Sequence, residues 1–358
     1  MMNRLGVTIE KRPYLSRVDR LLSLILALVI SLGSSAILIA LAGANLAEAF
    51  KAMFGGAFGG WRPTGETLVK ATPLIFTGLA AAVAFRGKVW NIGAEGQLII
   101  GAMTAFWATT ILKGLPPIAQ IPLIILFAFL GGAVYGLIAG TLKVWFKVDE
   151  IISTVLLNYI AINILSFMLS DLWRDPKSFY QQSALIPEEI HLPTLIGDSR
   201  LSVGFLLAVL AAVIIFIILQ KTTLGYEIRA MGFNPIAARF QGIGVSKTIL
   251  LVMLISGGVA GLAGGVDLFS VQYRLRLDLS VGYGFTGIIV AMLAGLNPLG
   301  VIPAAIFFGA LINGSTRMQI TTGIPSAVVS AIQGIVLLTL LATEFITKYR
   351  VRRISNGH

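Results

Sequence analysis

The chain has 358 residues, of which 56% are hydrophobic and 12% charged, with a net charge of +11, two histidines and no cysteine. Soluble domains carry about 25% charged residues, so half of the usual solvating surface is missing, and a mean hydropathy of +0.89 agrees. Disulfide frameworks and thiolate metal sites are excluded, a soluble enzyme or disordered chain is disfavoured, and the excess of Lys and Arg reads as basic cytoplasmic loops, not as a nucleic-acid surface.

A hydrocarbon layer about 30 Å thick takes about 20 helical residues to cross. By that measure the sequence offers ten candidate spans, near 21–43, 67–85, 92–112, 121–146, 151–172, 201–220, 248–266, 282–296, 301–315 and 324–346. The first is too long, and its polar lead Met1 to Arg20 too extended, for a cleavable signal. The eighth and ninth are short and meet at Asn297-Pro298-Leu299-Gly300, as a tight hairpin or as half-helices. With ten spans, seventeen of the 27 Lys and Arg fall on the side that holds both termini, which assigns that side to the cytoplasm. The expectation is an all-α polytopic membrane bundle. It has a cytoplasmic segment 1–20, a membrane domain 21–346 and a cytoplasmic tail 347–358, with an external loop near 173–200 and a cytoplasmic loop near 221–247.

Within the cytoplasmic loop, Asn234 can cap a helix that has Pro235 at its first position, and Gly242 stops it after about two turns. An ordinary amphipathic connector would have the same signature. Glycines at four-residue spacing, Gly132, Gly136 and Gly140 and again Gly257, Gly261 and Gly265, predict helix faces that pack closely in lipid. A faint symmetry relates Asn91-Ile-Gly-Ala-Glu-Gly-Gln, opening the third span, to Asp278-Leu-Ser-Val-Gly-Tyr-Gly, opening the eighth. An inverted repeat of five plus five helices would produce it.

Several short motifs fail on context. The Gly87-Lys88 pair has Ala82 and Val89 where a phosphate loop needs glycine and a hydroxyl. Gly282 to Gly287 fits the dinucleotide glycine spacing but leads into a span, not a βαβ unit. Ser280-Val-Gly-Tyr-Gly284 is close to a potassium filter, yet charged residues replace the pore helix before it. No cofactor or metal is implied. Glu95 is the most informative residue, because an acid inside a span faces a cavity or a partner; Arg86 and Lys88 are the near candidates for pairing. The two glycine-containing entries carry groups that suit a neutral, hydroxyl-rich ring compound. Asn91, Glu95, Gln97 and Ser280 can hydrogen-bond it, and Trp90, Tyr283 and Phe285 can stack on it, although helix packing explains the aromatics equally well. Asn158 and Asn163 are further polar residues of a span, which satisfy interhelical bonds or line a pathway.

Three separated segments carry a family resemblance: Phe85-Arg-Gly-Lys-Val-Trp-Asn-Ile-Gly-Ala-Glu-Gly-Gln-Leu, Val148-Asp-Glu-Ile-Ile-Ser-Thr-Val-Leu-Leu-Asn-Tyr-Ile, and Leu224-Gly-Tyr-Glu-Ile-Arg-Ala-Met-Gly-Phe-Asn-Pro-Ile-Ala-Ala-Arg. The chain from about 67 to 340 resembles permease subunits of ABC importers for branched-chain amino acids and simple sugars, and within them the nucleoside-importer branch. The resemblance implies a separate cytoplasmic ATPase, a second permease (identical or homologous), an extracytoplasmic lipoprotein receptor and a place in the cell membrane. It implies a coupling role for Glu227, Arg229, Gly232, Asn234, Pro235 and Arg239, and receptor docking at 173–200 and 267–281. An ion-gradient-driven secondary transporter is the other reading, since it shares inverted repeats and glycine-broken helices. It would need intramembrane acids, for which Glu95 is the candidate, with Asp149, Glu150 and Asp267 at span ends.

Overall fold

The computed structural model describes residues 7–11, 17–195 and 199–353. Arg4, Arg12, Asp198 and His358 lie outside the described residues. In chain order the helices are α1 (Arg17–Leu41), α2 (Leu46–Phe58), α3 (Trp61–Arg86), α4 (Ala94–Ile111), α5 (Pro117–Phe146), α6 (Glu150–Ser170) and α7 (Val203–Lys221). They continue as α8 (Thr223–Phe233), α9 (Pro235–Phe240), α10 (Val245–Asp267), α11 (Tyr283–Leu293), α12 (Pro298–Thr322) and α13 (Ser326–Lys348). Each of the ten apolar runs is a helix. Among the described residues six of these helices are long and apolar enough to cross a membrane, among them α10 with the π turn Leu268–Gln272 that extends it, while α1, α11 and α13 contribute shorter apolar stretches. The helical class stands with one addition, an antiparallel ribbon of β1 (Val7–Lys11) with β2 (Tyr349–Arg353). α2 and α8 fall in segments that hydropathy leaves as connectors.

The chain divides into two compact units, 1–56 with 314–358, and 57–313. In the first, α1 packs along α13. In the second, α10 lies against α3, α4 and α5. Lipid is as apolar as leucine, so these helices gain little from hiding hydrocarbon, and close packing must hold them together. The glycine tracts supply it. A Cβ on Gly136 would stand 2.6 Å from the Met253 carbonyl oxygen, and one on Gly261 would stand 2.9 Å from Gly132 Cα. Gly101 of α4 meets Gly261 backbone to backbone, so α10 presents small residues to two neighbours at once. The expected tight faces are therefore a seam between α5, α10 and α4. α3 is the most enclosed span, with Leu74, Ile75, Phe76 and Leu79 inaccessible.

Candidate functional site

α3 and α4 are joined by residues 87–93, which leave the helical path and fold back along α3. Lys88 takes a positive φ of 53°, the Val89 amide donates to Ala84 O, and the Trp90 ring rests on Phe85 at 4.8 Å. α4 therefore starts partway along α3 and α10. Asn91 Nδ2 donates to Ser256 Oγ on α10 (2.8 Å), and Ser256 Oγ donates to Ala80 O on α3 (2.8 Å). α11 starts at the same depth, because Thr77 Oγ1 on α3 donates to Tyr283 O (3.0 Å).

The two interrupted helices meet at Glu95. Its side chain is 5% exposed and accepts from the Gly282 amide (3.2 Å) and the Gly284 amide (2.7 Å), at the start of α11. Those N–H groups have no partner within their own helix, and a negative group at a helix N-terminus is favoured by the macrodipole. Glycine is required at 284, since a Cβ there would overlap the Glu95 backbone. Glu95 thus pairs with neither Arg86 nor Lys88. Arg86 Nε instead donates to Leu296 O (3.2 Å), just past the other end of α11. α11 is held at both ends by residues that flank the α3–α4 connection.

The α4 start is held from α6. Asn158 Oδ1 accepts from the Gly96 amide (2.8 Å) while its Nδ2 donates to Ile92 O (2.9 Å). Thr154 Oγ1 accepts from the Ile92 amide (3.2 Å), and Glu150, paired with Lys143, accepts from the Trp90 amide (3.4 Å). Asn91 and Gln97 bond each other, and Asn91 Oδ1 also accepts from the Gly93 amide. Asn91, Glu95, Gln97 and Asn158 are all buried with their polar groups spent on protein, and the Tyr283 ring is buried too. Trp90 and Phe285 remain exposed, and the Ser280 hydroxyl is buried with no hydrogen-bond partner among the described residues. Thr154 and Ser256, which were not singled out from the sequence, and Glu150 and Arg86, read there only as a span-end acid and an ion partner, are also members of the junction. For two of them the signal was present: positions 150 and 154 fall on one helix face with Asn158.

Past one end of α10 lies the segment α8–α9. Asn234 Oδ1 caps α9 by accepting from the Ile236 (2.9 Å) and Ala237 (3.1 Å) amides, and Gly242 turns the chain out at φ 82°. Phe233 and Phe240, 84% and 89% exposed, flank it with Ile236 and Arg239 also exposed. Gly232 is buried against the Arg86 and Gly87 backbone. Arg229 donates to Leu219 O, and Glu227 Oε2 accepts from Thr248 Oγ1 (3.4 Å). These bonds tie α8 to α7 and α10, so Glu227, Arg229 and Gly232 seat the segment while Pro235 and Arg239 face outward.

Past the other end of α10, residues 173–195 and 268–281 are knitted together. The Ser183 amide donates to Leu275 O (3.0 Å), the Ile186 amide to Tyr273 O (2.9 Å) and the Leu192 amide to Phe269 O (2.9 Å). His191 stacks on Tyr273 with ring centres 4.0 Å apart. The two stretches form one surface, with Phe179, Tyr180 and Val281 projecting from it. Arg276 grips Asp278 through two bonds, which hold that carboxyl below its usual range. Nearby, Arg200 grips Glu66 at 3.0 and 2.5 Å, and Asp267, 6% exposed, accepts from Gln272 Nε2 (3.2 Å).

Interrupted helices whose ends meet inside a helical membrane domain, with an apolar capped helix on one side and a joined loop surface on the other, are the arrangement that membrane permeases use. Residues 64–341 match the family described as branched-chain amino acid transport system / permease component. The chain is 38% identical to the guanosine ABC transporter permease protein of Bacillus subtilis, over 90% of this chain and 93% of that one. It is 33% identical to the nucleoside ABC transporter permease protein of Lactococcus lactis, over 92% and 93%, and 35% identical to the glucose ABC transporter permease protein of Haloferax volcanii, over 80% and 78%. The chain belongs to this permease family and is a multi-pass membrane protein.

Proposed function

We propose that the chain is the permease subunit of an ATP-driven importer and carries nucleosides, or related simple sugars, across the cell membrane. Near-full-length similarity to a guanosine permease is the observation that carries this reading. The helix start of α11, a place where an anionic solute would be welcome, is already filled by Glu95, which supports a neutral solute. ATP is hydrolysed by a separate cytoplasmic subunit that seats α9 between Phe233 and Phe240, and α8 passes its movement to the Arg86–Gly87 turn through Gly232. A receptor lipoprotein delivers solute to the surface built from 173–195 and 268–281, and a second permease completes the pathway. Both termini and the α8–α9 segment are cytoplasmic in this reading. The junction residues Asn91, Glu95, Gln97, Asn158 and Tyr283 position the interrupted helices, and Trp90, Ser280 and Phe285 are the junction groups left to meet solute.

The test is reconstitution of the chain with its ATPase, partner permease and receptor in vesicles, followed by uptake of labelled guanosine and other nucleosides. Uptake should require ATP and the receptor and should persist when ionophores collapse ion gradients. Uptake that follows an ion gradient without ATP would identify a secondary transporter instead.

A further inference from the structure

Three spans of the unit 57–313 leave a long face uncovered, and the faces differ in chemistry. α5 exposes Leu126, Leu130, Val134 and Ile138, and α7 exposes Leu206, Leu210, Val213, Ile214 and Ile217. Both are hydrocarbon over the roughly 17–18 Å that these residues cover at 1.5 Å per residue, as a lipid-facing helix should be. α6 is different. Its uncovered face runs Ile152, Leu156, Tyr159, Asn163 and Phe167, flanked by the exposed Ile151, Ile160 and Ile162, so Tyr159 (63% exposed) and Asn163 are polar groups set in an otherwise apolar face. Asn163 is also exposed, and it is seven residues from the end of α6 at Ser170, about 10 Å inside a helix that rises 1.5 Å per residue.

An amide at that depth is poorly placed against lipid. Asn163 Nδ2 donates to the Tyr159 carbonyl at 2.8 Å. Its second N–H and its Oδ1 have no partner among the described residues, and hydrocarbon would leave both unsatisfied. The same helix presents Glu150, Thr154 and Asn158 to the junction on the opposite side, half a helical turn away. α6 therefore has a structural polar face, fully bonded, and a second polar and aromatic face with bonding capacity to spare.

Resting on the proposed import function, we propose that the Leu156–Tyr159–Asn163–Phe167 face of α6 is a wall of the aqueous translocation path, offering an amide for hydroxyl or base-edge contacts and rings for stacking to a neutral nucleoside. The junction then acts on the solute through α6: whatever moves residues 90–96 moves the helix that carries this wall.

The native chain contains no cysteine, so a single introduced thiol is the only one in the chain to be labelled. In reconstituted transporter, Asn163→Cys and Tyr159→Cys should react with a membrane-impermeant, charged methanethiosulfonate about tenfold or more faster than Leu210→Cys on α7, because a thiol in hydrocarbon does not ionise. Guanosine with receptor and ATP should slow the reaction, and labelling should block uptake. The inference is overturned if both α6 variants react only with a lipid-soluble maleimide, or if they form disulfides between permeases and resist the charged reagent, which would mark a dry subunit contact. It is also overturned if Trp90→Cys alone is labelled and protected. Uptake by the unlabelled variants is measured in the same vesicles. Normal ATP-dependent uptake with unreactive α6 thiols sinks this wall and leaves the import function standing, whereas absent nucleoside uptake by the wild-type transporter sinks the function.

Discussion

Glu95→Gln tests the junction with the smallest available change, since it keeps the volume and removes one acceptor and the acidic group. Glu95 accepts from two amides of α11, at 3.2 and 2.7 Å. Glutamine can satisfy one of them, and its NH₂ then faces the other donor. Losing a charge-assisted bond costs about 1.5–3 kcal/mol, and losing a negative group at a helix start costs up to about 2 kcal/mol in a partly buried setting. A buried amide needs less desolvation than a buried carboxylate, which returns part of that loss. The expected net effect is a loosening of the α4–α11 contact by about 1–3 kcal/mol, or roughly a tenfold shift in the fraction of correctly joined molecules for each 1.4 kcal/mol. Nucleoside uptake should fall about tenfold, with the protein still present in the membrane and its thermal midpoint in detergent lowered by a few degrees. Glu95→Ala, which leaves both amides bare, should be worse on both counts. Wild-type uptake and an unchanged midpoint for Glu95→Gln would refute the capping role.

Gly232→Glu forces a side chain into the Arg86 carbonyl and should abolish uptake and dislodge α8, while Phe240→Asp, on an exposed position, should leave the fold intact and reduce co-purification with the ATPase; normal uptake in both would remove α8–α9 from the coupling route. Gly261→Ala places a methyl against Gly132 and should cost about 1–3 kcal/mol of helix packing, read as a lower yield of folded protein in detergent, and an unchanged yield would contradict the seam. Topology reporters fused after Gln220 and after Arg353 should read cytoplasmic and one near Glu188 external; a cytoplasmic reading near Glu188 would overturn the orientation.

The ten apolar runs were legible in the sequence as helices, and every one is a helix here, though among the described residues only six are long and apolar enough to cross a membrane. The α9 helix was legible for a local reason: a cap, a proline and a positive-φ glycine act within eight residues, and Asn234 and Gly242 do what their types predict. Glycine spacing likewise marked the close-packing faces of α5 and α10, though not that they pack on each other or that α4 shares the seam. What depended on tertiary structure was the identity of each polar partner. Glu95 has two cations close by in sequence, yet it bonds amides 187 and 189 residues away, because helix ends expose N–H groups that no sequence neighbour reveals. Asn91 and Gln97 read from the sequence as solute contacts, and Asn158 as an interhelical tie or a pathway residue. Only the fold, by bringing Ile92 and Gly96 beside α6 and Ser256 beside α3, decided that their bonding capacity is spent within the protein. The same burial pattern turned α6 into a helix with two polar faces, since hydropathy averages over a span and cannot separate the side that meets protein from the side that does not.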